Sequence, residues 1–313
     1  MRKITLSLAV AATVATTGSF AASDLEGAFK EGKTSGQIRA FYINRDYDKR
    51  NEMPNSATQD RSAFTLGGKL GYETAPLYGI SAGVMFYTVN GMGLNNGDGW
   101  KVDPSLFGTN TKTSGVADRP DATYLGQAYV QAAIGNTTVK IGRQELNTPL
   151  AGADDVRTLP NLFEAAIVIN KDLPNTTVIA GHVTAESAGS FMNGYYPNTS
   201  HALSTLGLQS GYGMGGSTGK YVSMSKIALT SFGFDGSDAN KVLATGNVSN
   251  SGVSVLALIN NSISGLTVQL WDYYAWDIIN AIYAQADYKF KLMFDMTASY
   301  QFWNENGVGD KMA

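Results

Sequence analysis

The strict alternation of residue character over residues 292–302 restricts the fold more than any other feature of this sequence. Every second residue from Leu292 to Phe302 is apolar or aromatic, and four of the five residues between them are polar. A helix would scatter these residues around its axis, whereas a β-strand sends successive side chains to opposite faces. Eleven residues also match the length of about 9–11 that a tilted membrane-spanning strand needs. We therefore predict a long strand with one apolar and one polar face.

The same period of two returns in other segments. It is clear in residues 282–290, 63–72 and 266–270. It is looser in residues 37–45, 80–90, 124–134, 163–169, 177–184 and 253–260. Gly, Asn, Asp and Ser cluster between the segments, as turns require, and two connections, 91–121 and 187–220, are long. Short turns alternating with long loops are typical of outer-membrane barrels.

These patterns predict an all-β protein, a transmembrane antiparallel β-barrel with roughly 10–14 strands in this chain. On the last long strand we expect Phe294, Met296, Ala298, Tyr300 and Phe302 to face lipid, and Asp295, Thr297, Ser299 and Gln301 to face the lumen. Aromatic residues near strand ends would suit the two interfacial girdles; they are Tyr42, Tyr72, Tyr274, Trp276, Tyr288 and Trp303. A soluble β-sandwich also alternates, but its strands average about five or six residues.

The first residues have the layout of a secretory signal peptide. Arg2 and Lys3 precede a mostly apolar run, and the small residues Ser19 and Ala21 fit positions before a cleavage site. We predict residues 1–21 to be the signal peptide and residues 22–313 to be the barrel. Removal of Arg2 and Lys3 leaves 21 basic against 26 acidic residues, a formal net charge of −5. Nucleic acid is therefore not an expected partner, because phosphate binding needs a basic face.

The sequence offers little for catalysis. It has no cysteine, which excludes thiolate chemistry and Cys-based metal sites. His182 and His201 are the only histidines, and their spacing predicts no metal site. Residues 211–216 match G-x-G-x-x-G, but the motif needs a βαβ unit around it, so we interpret it as a loop. We expect no enzyme activity, no cofactor and no bound metal.

Residues 142–150 (GRQELNTPL) and 154–164 (DDVRTLPNLFE) resemble the central signature of the OprD family of outer-membrane porins. Residues 39–47 resemble the family's first strand, and residues 271–288 resemble a later hairpin. The resemblance implies a monomeric barrel of about eighteen strands, within the range of outer-membrane barrels. It also implies packing as a homotrimer, contact with outer-membrane lipid, and passive transport of small charged solutes such as organic acids or amino acids.

In that family the central signature leads into a loop that folds inside the barrel and narrows the pore. The resemblance places residues 146–161 in this constriction loop, and its charged candidates are Asp154, Asp155 and Arg157, with Arg143 and Glu164 on either side. The residues themselves support a loop, because residues 147–160 hold two prolines and do not alternate. A charged narrowing selects charged solutes. An exposed loop with an ordinary surface ion pair is the alternative.

Basic residues with lumen parity are the second expected feature. The family often lines its pore wall with a ladder of basic side chains that guides carboxylates, and the candidates here are Arg39, Arg45, Lys69, Lys140 and Lys289. Arg143 has the parity of Val139 and Ile141, so either the strand ends before it or a bulge re-aims it.

Two matters remain open from the sequence. The chain stops at residues 309–313 (GDKMA) without the terminal aromatic residue of such barrels, so we expect the barrel to be incomplete at its C-terminus. A surface or adhesive barrel without channel activity is the alternative to a porin, and conductance would separate the two.

Overall fold

The computed structural model describes residues 7–15, 21–46, 60–95, 101–107, 111–113, 116–118, 121–190, 218–231, 236–246 and 248–309. Its strands are β1 (Ser7–Ala15), β2 (Lys33–Arg45), β3 (Arg61–Glu73), β4 (Ile80–Asn90), β5 (Thr111–Thr113), β6 (Val116–Asp118), β7 (Ala122–Ile134), β8 (Thr137–Gln144), β9 (Leu162–Asn170), β10 (Thr176–Ser187), β11 (Val222–Ser223), β12 (Val253–Asn260), β13 (Leu266–Ala275), β14 (Ile279–Lys291) and β15 (Asp295–Gly307). The helices are α1 (Leu25–Lys30), α2 (Met224–Ser231) and α3 (Gly236–Ala244), with a 3₁₀ turn at Pro104–Leu106.

Twelve strands form one continuous antiparallel path in the order β1-β2-β3-β4-β7-β8-β9-β10-β12-β13-β14-β15. The short strand β11 pairs with β10 off this path, and β5 and β6 form a small separate sheet. The predicted all-β class and the range of 10–14 strands are thereby confirmed. Within the described residues, no pairing joins β15 back to the start of the path.

Strand β1 lies within the predicted signal peptide. It pairs along β2 from Ser7 opposite Ile43 to Ala15 opposite Ser35. Cleavage after Ala21 stays a prediction, and it would leave the backbone groups on this side of β2 without their present partner.

The two faces of the sheet differ as the period of two predicts. On β3, Leu66 and Leu70 are 36% and 61% exposed, whereas Thr65, which directly precedes Leu66, is fully buried. The residues of the polar face of β14 pair with those of β15: Ser299 Oγ donates to Asp287 Oδ1 at 2.6 Å, and Gln301 Nε2 donates to Gln285 Oε1 at 3.3 Å. The apolar residues therefore form an outer belt, and polar or buried side chains occupy the inner face.

The connections alternate in length, as predicted, with one exception. Short connections follow β3, β7, β9, β12 and β14 at one end of the sheet. Long connections follow β2, β4, β8 and β10 at the other end, where β13 and β14 are nevertheless joined by a turn of only three residues. The helices α2 and α3 in the connection after β10 were not predicted, because the long connection expected from the sequence covered residues 187–220 and no helix was expected after it. Leu229 of α2 and Ala239 of α3 are fully buried against the strands.

No helix among the described residues is both long enough and apolar enough to cross a membrane.

Single cysteines on β15 should show the alternation directly. We expect a cysteine at Ser299 or Gln301 to react with a small water-soluble thiol reagent in intact outer membranes, because these positions share the polar face with Asp287 and Gln285. A cysteine at Tyr300 should be protected by lipid. Labelling at Tyr300→Cys with protection at Ser299→Cys would contradict the assignment of faces.

Candidate functional site

The loop of residues 146–161, called here the inward loop, lies against the inner face of the sheet. At one end Leu146 and Ala151 pack in a core cluster with Trp271 and Tyr273 of β13. At the other end the hydroxyl groups of Thr158 and Thr65 on β3 are 2.8 Å apart, and both residues are buried. Strands β3 and β13 are far apart in the sheet order. The sheet must therefore curve around the loop that touches both.

A bidentate ion pair fastens the inward loop to β2. Arg39 donates from both terminal nitrogens to the two carboxylate oxygens of Asp155, each at 2.5 Å. The same guanidinium donates to the backbone oxygen of Arg157 at 2.7 Å, and its Nε donates to Gln37 Oε1 at 2.6 Å. Paired planar contacts of this kind fix geometry as well as charge. The Asp155 carboxylate is thus held against the wall.

A second polar cluster lies where the chain leaves β8. Glu145 Oε1 accepts from Lys69 Nζ at 2.9 Å and from the Tyr87 hydroxyl at 2.7 Å. Gln127 Nε2 donates to the Tyr87 oxygen at 2.6 Å. Burial acts to raise the pKa of Glu145, but the hydrogen bond from Tyr87 and the positive charge of Lys69 outweigh it and lower this pKa. The carboxylate stays ionised at neutral pH and neutralises Lys69.

Asp154 and Arg157 of the inward loop contact different neighbours. Asp154 has a left-handed backbone (φ 43°), and its Oδ2 accepts from Asn161 Nδ2 at 3.3 Å. Burial raises the pKa of its carboxyl. The Arg157 guanidinium lies 5.7 Å from the centre of the Phe41 ring, and one of its nitrogens donates to the Val156 oxygen at 2.9 Å. Asp154 therefore contacts a residue of the loop itself, whereas Asp155 contacts Arg39 on β2.

A second segment, residues 101–107, also folds onto the inner face. Asp103 is fully buried, and its Oδ2 lies 2.8 Å from Arg45 Nε and 3.1 Å from Arg61 Nε. Around this cluster, apolar residues of the segment pack against β2 and β3: Val102, Leu106 and Phe107 against Phe41, Ile43 and Ala63. Arg45, a predicted wall residue, is therefore part of a buried charge cluster. Asp103 and Arg61 were not predicted, because an acid in a long loop and a base at the start of a strand follow no recognisable sequence pattern.

Ser190 joins the two inward segments. Its hydroxyl oxygen accepts from the Leu159 backbone at 3.2 Å and donates to the Leu106 carbonyl at 3.1 Å. Its own backbone N–H donates to the Leu159 carbonyl at 2.9 Å. All three residues are fully buried or nearly so. The inward loop and residues 101–107 are thus parts of one packed unit inside the sheet.

Arg143 and Glu164 lie outside the inward loop, opposite each other on β8 and β9. Strand alternation places them on the face opposite to Gln144 and Phe163. The sequence suggested that the strand ends before Arg143 or that a bulge redirects its side chain, and neither explanation holds. The β8 strand continues through Gln144 without a register shift. The Arg143 Nε is 3.6 Å from Glu164 Oε2, and its guanidinium lies 4.4 Å from the centre of the Tyr221 ring. A half-exposed pair of this kind contributes about 0–1 kcal/mol.

The remaining wall candidates lie on the inner face by register. Lys140 of β8 lines a cavity of about 290 Å³ between the inward loop and the wall, together with Gln131, Ile167, Ile179 and Trp271. Its ammonium lies 3.6 Å from the centre of the Tyr129 ring. Lys289 of β14 pairs with Thr297 and shares the face of Asp287.

Of the two histidines, the structure describes only His182. His182 Nε2 lies 2.6 Å from the Ser251 carbonyl, and its Nδ1 lies 3.1 Å from Ser254 Oγ. His201 and residues 211–216 lie outside the described residues. In the part of the chain that the structure describes, no group of three or more His, Cys, Asp or Glu side chains could hold a metal ion.

Long antiparallel strands with an apolar outer belt, a polar interior and a loop folded inward define the architecture of an outer-membrane porin. The family described as "outer membrane porin, OprD family" matches residues 26–195, more than half of the sequence. The chain belongs to the OprD family, whose members are porins of the Gram-negative outer membrane.

Individual relatives agree with this assignment. Over an aligned stretch of 165 residues, the chain is 27% identical to the porin-like protein GalP of Pseudomonas putida. This stretch covers 52% of this chain and 37% of GalP. It resembles the crystal structure of Pseudomonas aeruginosa OccK9 (OpdG) with a TM-score of 0.61 and 15% identity, over 90% of this chain and 60% of that one. For P. aeruginosa OpdK with vanillate the TM-score is 0.56 and the identity 16%, with the same coverage. The chain thus spans 60% or less of the length of each of these relatives.

Proposed function

We propose that the protein is a passive, substrate-selective diffusion channel in which the inward loop forms the constriction. The main support is the attachment of this loop to the inner wall through Arg39–Asp155, with Lys69–Glu145 at its root. A loop held in this way keeps a fixed opening. Size and charge then decide which solutes pass, as in other pores with charged narrowings.

Small charged solutes, above all organic acids, are the proposed cargo. OpdK, a structural neighbour, was crystallised with vanillate, an aromatic carboxylate. The inner face of this chain carries Lys140, whose ammonium rests on the Tyr129 ring, and a positive charge there suits carboxylates. Ion transport by diffusion alone is part of the same proposal.

Conductance tests the proposal against the adhesive alternative. The full-length protein, inserted into a planar lipid bilayer, should give discrete current steps, and vesicles that contain it should admit a small carboxylate faster than a neutral sugar of similar size. A preparation that inserts in its folded form but gives no current and no carboxylate uptake would refute the channel.

If the inward loop sets the ion selectivity, substitution of Arg157 should change the reversal potential and substitution of Arg143 should not. Arg157→Gln removes a positive charge from the inward loop, so the reversal potential in a salt gradient should shift toward cation preference. The shift should be measurable because a narrow opening screens charge poorly compared with the ~8 Å Debye length of physiological salt. Arg143→Gln removes the same charge from the opposite face of β8 and is the matched control. Equal reversal potentials for both variants and the parent would mean that the loop does not set selectivity.

The homotrimer implied by the family resemblance is also a proposal. Cross-linking in native outer membranes should give a product of three times the mass of the single chain. A chain that stays monomeric under conditions that cross-link a known trimeric porin would contradict it.

A further inference from the structure

The turn between β13 and β14 is the one short connection at the end of the sheet that carries the long ones. Long connections mark the extracellular end of an outer-membrane barrel. Long connections follow β2, β4, β8 and β10 at this end, but only residues 276–278 join β13 to β14. A connection of three residues is too short to fold back over the outer face. The outer face below this turn is therefore not covered by the connection above it.

The outer face changes character just below this turn. By register, the outward row two residues farther down the strands is apolar and consists of Leu258, Leu270 and Ala284. The outward row nearest the turn is polar and consists of Ser254, Tyr274 and Asn280. In the row between them the exposed carboxylate of Asp272 lies beside Leu256 and Ile282. Such a change marks the level at which hydrocarbon gives way to lipid headgroups.

A chain of hydrogen bonds fixes the indole of Trp276 against this outer face. Its Nε1 donates to Ser254 Oγ at 3.0 Å, and Ser254 Oγ lies 3.1 Å from His182 Nδ1. The Nε2 of the same imidazole lies 2.6 Å from the Ser251 carbonyl. The ring of Tyr274 meets the indole edge to face, with the ring centres 5.1 Å apart. The Trp276 side chain is 46% exposed, so it presents a fixed aromatic surface to the outside.

A carboxylate and an amide lie beside this aromatic surface. Asp272 Oδ1 accepts from Asn280 Nδ2 at 2.5 Å. Among the described residues, no side chain donates to the other carboxylate oxygen of Asp272. A carboxylate accepts several hydrogen bonds, and an amide both donates and accepts. Four side chains form this surface, called here the rim patch: Asp272, Tyr274, Trp276 and Asn280.

We propose that the rim patch binds the sugar headgroup of a glycolipid of the outer leaflet. A sugar packs its C–H face on an aromatic ring and donates from its hydroxyl groups to the carboxylate. The occupant is a lipid because the rim patch continues the lipid-facing belt of Leu258 and Leu270, so acyl chains lie on the belt while the sugar reaches the patch. A headgroup that offers phosphate alone does not fit, because Asp272 repels its charge. The site lies outside the wall and does not depend on conduction.

Lipid retention by the full-length protein tests this proposal. The protein is placed in phosphatidylcholine nanodiscs that contain rough lipopolysaccharide, diglucosyl diacylglycerol or phosphatidylglycerol at equal mole fractions, and native mass spectrometry counts the lipids that stay bound. Both glycolipids should be retained, and phosphatidylglycerol should not. Trp276→Ala and Asp272→Ala should each weaken retention of diglucosyl diacylglycerol about tenfold, since one removes the aromatic surface and the other a hydrogen bond to a charged group. Asp272→Asn keeps an acceptor oxygen and should weaken retention less.

Tyr288→Ala is the matched control. It removes an exposed aromatic side chain from the same outer face, but at the periplasmic end of β14, where Tyr288 lies opposite Leu266. This variant should retain both glycolipids as the parent does. Each variant should keep the heat-modifiable mobility of the folded parent in gels, which separates loss of binding from loss of folding.

The outcomes decide between occupants of the rim patch. Equal retention of glycolipid by the parent, Trp276→Ala and Asp272→Ala would overturn the proposal, as would retention of phosphatidylglycerol by the parent equal to that of the glycolipids. If both variants lose a cross-linked oligomer but keep their glycolipid, the rim patch contacts another copy of the chain and the proposal is wrong. Loss of glycolipid confined to the rim-patch variants would support it.

Discussion

Asp103→Asn should lower the free energy of unfolding by about 3 kcal/mol, the low end of the range for breaking a buried ion pair. The carboxylate is fully buried between two arginines whose side chains are only 20% and 11% exposed. Its other oxygen accepts from the Ser105 backbone at 2.9 Å and from the Ser105 hydroxyl at 2.5 Å. Asparagine keeps the shape but leaves two guanidinium groups without their shared counter-charge. Urea unfolding of the protein in lipid vesicles measures the loss.

A matched control and a second measurement sharpen this prediction. Glu26→Gln breaks an ion pair with Lys30 in which both side chains are more than 70% exposed, and such pairs often contribute nothing measurable. If Asp103→Asn instead releases only residues 101–107 from the inner face, the channel's conductance should rise while the unfolding midpoint changes little. Parent values for both stability and conductance would show that the buried cluster has no such role.

Tyr300→Arg should cost about 2–4 kcal/mol of folding free energy in a bilayer, because a lipid-facing arginine at the midplane must be desolvated. Tyr300 is the sixth of the thirteen residues of β15, near its centre, and its side chain lies on the exposed apolar face. Met296 shares this face but is the second residue of the strand. Met296→Arg should therefore cost only about 0–1 kcal/mol, since the penalty falls near the interface.

Reversible folding into phospholipid vesicles compares these variants. Ser299→Arg is the control on the opposite face, where the new side chain meets water and the carboxylate of Asp287. The expected order of destabilisation is Tyr300→Arg first, with Met296→Arg and Ser299→Arg both small. A cost for Ser299→Arg equal to that for Tyr300→Arg would contradict the assignment of β15 faces.

The sequence by itself determined the faces, the strands and the kind of protein. Leu66 and Leu70 alternate with Thr65 and Lys69, and this period of two is a local property that tertiary contacts do not change. The long strands and the unequal connections followed from the same local patterns. The resemblance in residues 142–164 indicated the family, which the match to residues 26–195 confirms.

Only the tertiary structure decided which charges meet. Arg39 and Asp155 are 116 residues apart, and no spacing rule links a strand residue to a loop that does not alternate. The loop folds across a curved sheet, which brings Asp155 to β2. The same folding buries Asp103 between two arginines and leaves Lys140 on an aromatic ring. Side-chain direction is set within one strand, whereas a charge's partner depends on how distant strands curve around the loops between them.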